Sequence, residues 1–122
     1  DIFIFNSTRP EKLVSPGLLK SHYSPKKPLY ILNEPLRYFP EFSGLILHRN
    51  NNADYTATKV IYTSQTCNKI EISANLFASL HTMEEDESVK SIYIEPVEEK
   101  GLGIAIMDRV KKAAYQYNNS TN

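Results

Sequence analysis

Cysteine is almost absent from this chain, and so is any excess of charge. Cys67 is the only cysteine in 122 residues, so no internal disulfide can form. That excludes the framework of a small secreted scaffold and points to an intracellular setting. No run of 18 apolar residues occurs, which excludes a membrane-spanning helix and leaves the membrane out of the expected partners. Asp1 opens the sequence with no charged-then-apolar leader behind it. The chain therefore reads as a domain cut from a longer protein. Fourteen basic and fourteen acidic residues cancel, which argues against nucleic-acid binding driven by total charge.

Chemical motifs are scarce as well. His22, His48 and His81 lie far apart, and no His or Cys pair has the spacing of metal ligands. No metal and no cofactor is expected. There is no G-x-S-x-G elbow. Gly101-Leu102-Gly103 precedes a helical pattern but lacks the third glycine of a dinucleotide site and the Lys-Ser/Thr of a P-loop, and Glu98, Glu99 and Asp108 around it would repel phosphate. No catalytic residue is assigned, and a non-enzyme is the expectation. A small enzyme built around His48 or Cys67 is the reading this sets aside. A thiol nucleophile needs a base and a positive environment.

What is present fits one domain over residues 1–117, with 118–122 as a tail or the start of a linker; the hydrophobic fraction of 41% suffices for a single core. Ile2-Phe3-Ile4-Phe5 reads as a short buried strand. Residues 9–28 hold Pro10, Pro16, Pro25 and Pro28, which leave no room for a long helix and predict a long ordered loop. Leu29–Leu32 is a second apolar strand. Gly44–His48 and Tyr55–Thr63 flank Arg49–Asp54, and the three asparagines between them predict a hairpin. From Ile104, the positions Ile106, Val110, Ala113 and Tyr117 form one apolar helical stripe, widened by Met107 and Ala114.

The stretch from Cys67 to Val97 carries the most agreement among local signals. Ile70 and Ile72 alternate with Lys69 and Glu71, which predicts a strand. Ser73 then serves as a helix N-cap, and Leu76, Phe77 and Leu80 line a short helix. Glu84–Glu87 forms an acidic turn without the spacing of a calcium loop. Ile92 and Ile94 resume a strand that ends at Pro96. The segment IEISANLF–ASLHTMEEDESVKSIYIE resembles the strand–helix–turn–strand repeat of psi-motif barrels, as in AbrB-like domains and the N-domains of some AAA ATPases. Ser73 stands where that repeat carries proline, and its Gly-Asp turn is missing. The resemblance implies a barrel that binds proteins or DNA. The periodicities alone predict an α+β domain: a mixed, mostly antiparallel sheet of about five strands with two helices on one face.

Two surfaces draw attention. Leu36–Phe42 supplies Arg37, Tyr38, Phe39 and Phe42 between prolines, side chains of the kind that anchor protein partners. Lys12, Lys20, Lys26 and Lys27, interleaved with Tyr23 and Tyr30, are the candidate nucleic-acid contacts. The chain is also electrically divided: residues 1–60 carry eight basic and five acidic side chains, residues 61–122 six and nine, so an oppositely charged partner would fit. The expectation is a non-enzymatic protein-interaction domain excised from a larger intracellular protein, with a nucleic-acid-binding module as the alternative.

Overall fold

A computed structural model describes residues 26–120, with side chains as far as Tyr115. The predicted strand at Ile2–Phe5 and most of the 9–28 loop, including Lys12, Lys20 and Tyr23, lie outside the described residues, as does the side chain of Tyr117. The elements run β1 (Leu29–Ile31), β2 (Ser43–Leu47), β3 (Lys59–Tyr62), α1 (Lys69–Glu85), β4 (Ser91–Ile94) and α2 (Leu102–Ser120). The strands form one sheet in the order β1-β4-β2-β3, and every pairing is parallel.

This overturns the mostly antiparallel sheet of about five strands: among the described residues there are four strands, all parallel, and the class is α/β. The physical reason is burial. In β2 all five residues are buried. A strand covered on both faces reads as a continuous apolar run, the signature of a parallel sheet. The predicted hairpin between Gly44–His48 and Tyr55–Thr63 fails for the same reason. Residues 48–58 run back along the sheet, so that Gly44 pairs with Lys59 and Leu47 with Tyr62 in the same direction. Asn52 makes the reversal with φ 60, a conformation asparagine accepts.

The strand predicted at Ile70–Ile72 is the first turn of α1. The Asn68 side chain, not Ser73, caps the helix and accepts from Ile70 N at 3.0 Å and Glu71 N at 3.1 Å. Ile70 is 73% exposed, while Ile72, Leu76, Leu80 and Met83 are buried at helical spacing. One exposed isoleucine created the alternation. With residues 69–85 helical throughout, the strand–helix start of the psi-barrel repeat is not formed.

Side chains divide between two faces. Ile46, Ile92 and Ile94 meet α1 and α2, including Leu76, Leu80, Met83, Ile106 and Val110. Gly44 permits that approach: a Cβ there would sit 2.5 Å from Met83 Sδ. Leu45, Leu47 and Tyr93 point the other way, where Phe39, Tyr55 and Ala57 from the two connecting loops cover them. Phe39 N donates to Thr56 O at 3.0 Å and Thr56 N to Arg37 O at 2.7 Å, so those loops form a hydrogen-bonded layer without helix. Gly103, in the first turn of α2, lies where a Cβ would fall 2.0 Å from the Glu98 carbonyl oxygen.

Candidate functional site

In parallel sheets, ligands lodge outside the carboxyl ends of strands, where neighbouring connections leave toward opposite faces. Here that place lies between β2 and β4. After β2 the chain turns to the loop-covered face, carrying Tyr55 and Ala57. After β4 it turns to the helix-covered face, carrying Val97 and then α2. The first residue past β2 is His48 and the first past β4 is Glu95. They touch: a Glu95 carboxylate oxygen accepts from the His48 amide.

His48 is 1% exposed. Its Nδ1 lies 2.5 Å from the Thr63 hydroxyl, which also lies 3.4 Å from Leu47 O. A hydroxyl has one proton. Both contacts are hydrogen bonds only if the hydroxyl donates to the carbonyl and accepts from Nδ1–H. Nε2 is then a bare lone pair, and it is buried without a partner among the described residues. Burial holds His48 down at about 4, against a weaker upward pull from Glu95, because a charged ring would lose its water. The imidazole is therefore neutral near pH 7. Around it, Asn75 donates to Thr63 O at 2.9 Å and the Ser64 hydroxyl to Glu71 at 2.7 Å, tying the end of β3 to the first turns of α1. Cys67 is half-buried at φ 60, packed against the helix-side core. It is a turn residue leading into the Asn68 cap.

Of the residues singled out in the sequence, Phe39 is buried under the loop layer. Arg37 stacks over Tyr55, 5.9 Å from the ring centroid, and Tyr38 and Phe42 are exposed. Lys27 is committed internally: its Nζ donates at 2.7 Å to both Met83 O, in the last turn of α1, and Asp86 O, at its C-cap. Lys26 N donates to Glu84 at 2.7 Å. Lys59 pairs with Asp86 at 2.9 Å. Donation by Ser88, then by Lys59, holds the Asp86 carboxyl well below the usual carboxylate range. One ion pair among the described residues, Lys59 with Asp86, thus joins the two halves, and Asp86 is the C-cap of α1. At the start of α2, Lys100 O and Gly101 O accept from Gly103 N and Ile104 N, which removes two donors a phosphate would need. Thr63, Ser64 and Glu95 escaped the sequence reading. The available signal was one polar residue directly after each apolar run, which gains meaning only once the strands are known to be parallel.

Residues 3–115 match the family model described as "Threonylcarbamoyl-AMP synthase, C-terminal domain". The chain belongs to this family. It is 32% identical over 111 residues to the threonylcarbamoyl-AMP synthase of Pyrococcus abyssi, covering 82% of this chain and 32% of that protein. The Bacillus subtilis synthase is 29% identical over 118 residues, covering 88% and 34%. The crystal structure of Pyrococcus abyssi Sua5 complexed with L-threonine superposes with a TM-score of 0.61 at 28% identity, over 84% of this chain and 32% of that one. A variant of the same protein, with an adjacent histidine and tyrosine changed to alanine, superposes at 0.56 and 28% identity over 76% and 29%. The chain spans about a third of the length of these relatives. Membership in a synthase family overturns the expected non-enzymatic interaction domain. Absence of a nucleophile–base pair in one part of a polypeptide says nothing of chemistry housed in the rest. No helix among the described residues is long and apolar enough to cross a membrane.

Proposed function

We propose that this chain is the C-terminal domain of an enzyme that makes threonylcarbamoyl-AMP, and that the bond-forming chemistry resides in the polypeptide outside it. The family match across residues 3–115 carries the reading, supported by relatives of the same activity in an archaeon and a bacterium. The product joins threonine, one carbonyl carbon and an adenylate, so the enzyme must hold an amino acid beside an activated nucleotide. These are cell metabolites, which supports an intracellular place of work. The test is product formation by the full polypeptide given L-threonine, bicarbonate and ATP, followed by mass spectrometry. Threonylcarbamoyl-AMP is expected from the full polypeptide and a fall of tenfold or more when this domain is deleted. No product from the intact polypeptide overturns the assignment.

A second observation bears on the same activity. A histidine–tyrosine step like the one altered in the Pyrococcus abyssi variant occurs once in these 122 residues, as His22-Tyr23, outside the described part. His22 and Tyr23 are assigned a part in product formation, checked by replacing both with alanine in the full polypeptide. Unchanged turnover would remove them from the enzyme's working parts.

A further inference from the structure

The reversal of connections at the carboxyl ends of the strands occurs a second time, between β1 and β4. After β1 the chain turns to the loop-covered face, bringing Leu32 and then Phe39 onto it. After β4, its neighbour in the sheet, the chain turns to the helix-covered face. Parallel sheets hold ligands at such a place. A cleft of about 320 Å³ lies there, lined by Tyr30 and Tyr93, by Leu32 and Leu36, and by Asn33 and Glu34. It shares no residue with the His48 cluster. Tyr30 and Tyr93 are register partners on adjacent strands. Their ring centroids are 5.2 Å apart and their planes differ by 31°. Two rings side by side in one plane cannot come that close, so each turns a face to the other in an offset stack. Phe39 packs on Tyr93 at the same separation, which makes a row Phe39, Tyr93, Tyr30. β1 is the outermost strand on that side among the described residues, so the row ends at Tyr30, which is 44% exposed. A flat ring added at this end continues the row.

The polar groups name the ring. No Lys, Arg or His lines the cleft among the described residues. The Glu34 carboxylate only accepts hydrogen bonds, and its charge repels phosphate. An anion therefore does not fit. A cation cage surrounds its ligand with converging ring faces. Here the rings stack on one another and leave a single face, which is a platform for a flat aromatic ring. That ring needs amino hydrogens to satisfy Glu34. Asn33 carries an amide that both donates and accepts, and it can pair with an amino group beside a ring nitrogen. Adenine presents that pattern at N6 and N7. The volume sits at the small end of the ~300–1,000 Å³ typical of ligand clefts, enough for a base with its sugar.

We propose that this cleft binds the adenine ring of an adenosine compound, stacked on Tyr30, with its amino group between Asn33 and Glu34 and any phosphate turned to solvent. The choice of adenine over other amino-bearing bases rests on the reading of the chain as part of a threonylcarbamoyl-AMP synthase, an enzyme that handles adenylates. The test photolabels the full polypeptide with 8-azidoadenosine and maps the adducts by peptide mass spectrometry, which tells this cleft from the bond-forming site elsewhere in the polypeptide. Adducts are expected on the peptides that carry Tyr30 and Tyr93. Adenosine should compete for them better than AMP, and AMP better than ATP. Tyr30→Leu should cut labelling of the cleft to about a tenth or less, because it removes the stacking face but keeps an apolar side chain. Glu34→Lys changes an exposed residue and should reverse the order of competitors, so that ATP leads. Should Tyr30→Leu fail to fold, the Glu34→Lys order decides. Adducts found only outside the cleft overturn the proposal, as does an unchanged order in folded Glu34→Lys. Equal competition by guanosine or cytidine also overturns it, since the cleft would be a general stacking face. Competition by tetramethylammonium does so too, since the ligand would be a cation. Product formation on the same samples keeps the two claims apart. A parent labelled in the cleft that makes no threonylcarbamoyl-AMP sinks the functional reading and leaves the site. One that makes product with no adduct in the cleft sinks the site alone.

Discussion

The sheet is covered by two helices on one face and by two connecting loops on the other, and the two coverings behave differently in sequence and in physics. On the helix face, Leu76, Leu80, Met83, Ile106 and Val110 come from elements whose backbone hydrogen bonds are internal, so side-chain packing alone decides the contact. On the loop face, Phe39, Tyr55 and Ala57 are held by bonds from one loop to the other through Arg37, Phe39 and Thr56. A helix presents a periodic stripe that sequence reveals. A loop layer presents a cluster with no period, and only contact shows which of its aromatics are inside. Phe39 is buried and Tyr38 exposed, one residue apart. The helix face should therefore be the less forgiving of change, and the loop face the one free to serve function.

The largest effect should come from breaking the helix face outright. Val110 is 1% exposed, so Val110→Asp buries a charge without a partner and should cost about 4–5 kcal/mol. A thermal melt within a degree or two of the parent would remove Val110 from the core.

Next in size is the carboxyl edge, where the two faces meet. His48 titrates near its ordinary value of 6.5 when unfolded and at about 4 when folded. The unfolded state thus binds the proton more readily. Stability is fully present above pH 6.5 and is lost as pH falls toward 4, by about 3 kcal/mol in all. His48→Gln should flatten denaturation midpoints across that window. An unchanged slope from pH 6.5 to 4 would mean that the imidazole is not sealed from water.

The two coverings can be compared directly with one deletion on each. Leu76 and Leu47 are both buried, but Leu76 belongs to α1 in the helix-side core and Leu47 lies under the loops. Leu76→Ala leaves a cavity between rigid elements and should cost about 4 kcal/mol; Leu47→Ala sits under a layer that can settle and should cost about 2 kcal/mol. Equal losses in urea titrations would erase the distinction between the faces.

The same difference explains which parts of the fold were legible. The α2 stripe was read correctly at Ile106, Val110 and Ala113, because a period of 3.6 survives in sequence. The first turn of α1 was misread because Ile70, exposed, and Ile72, buried, imitate a strand. Strand direction was lost because it depends on the path of residues 48–58, a segment with no period. The carboxyl-edge cluster was illegible for that reason in turn: His48, Thr63 and Glu95 are neighbours only if β2, β3 and β4 run the same way. Tyr38 and Phe39 carry the same kind of side chain in the same segment, and nothing local separates the exposed ring from the buried one.

The smallest expected effect is the sharpest test of the loop face. Phe42→Gly removes a ring that is more than half covered, which costs about 1–1.5 kcal/mol of burial. Glycine also raises the entropy of the unfolded chain, a further ~0.5–1 kcal/mol. Against these stands relief of the left-handed backbone at φ 66, about 1–2 kcal/mol. The terms nearly cancel, so chemical denaturation should shift by no more than about 1 kcal/mol. Phe39→Ala, three residues away and buried, should cost about 3 kcal/mol by the same measurement. If Phe42→Gly instead cost as much as Phe39→Ala, the ring would belong to the core of this domain.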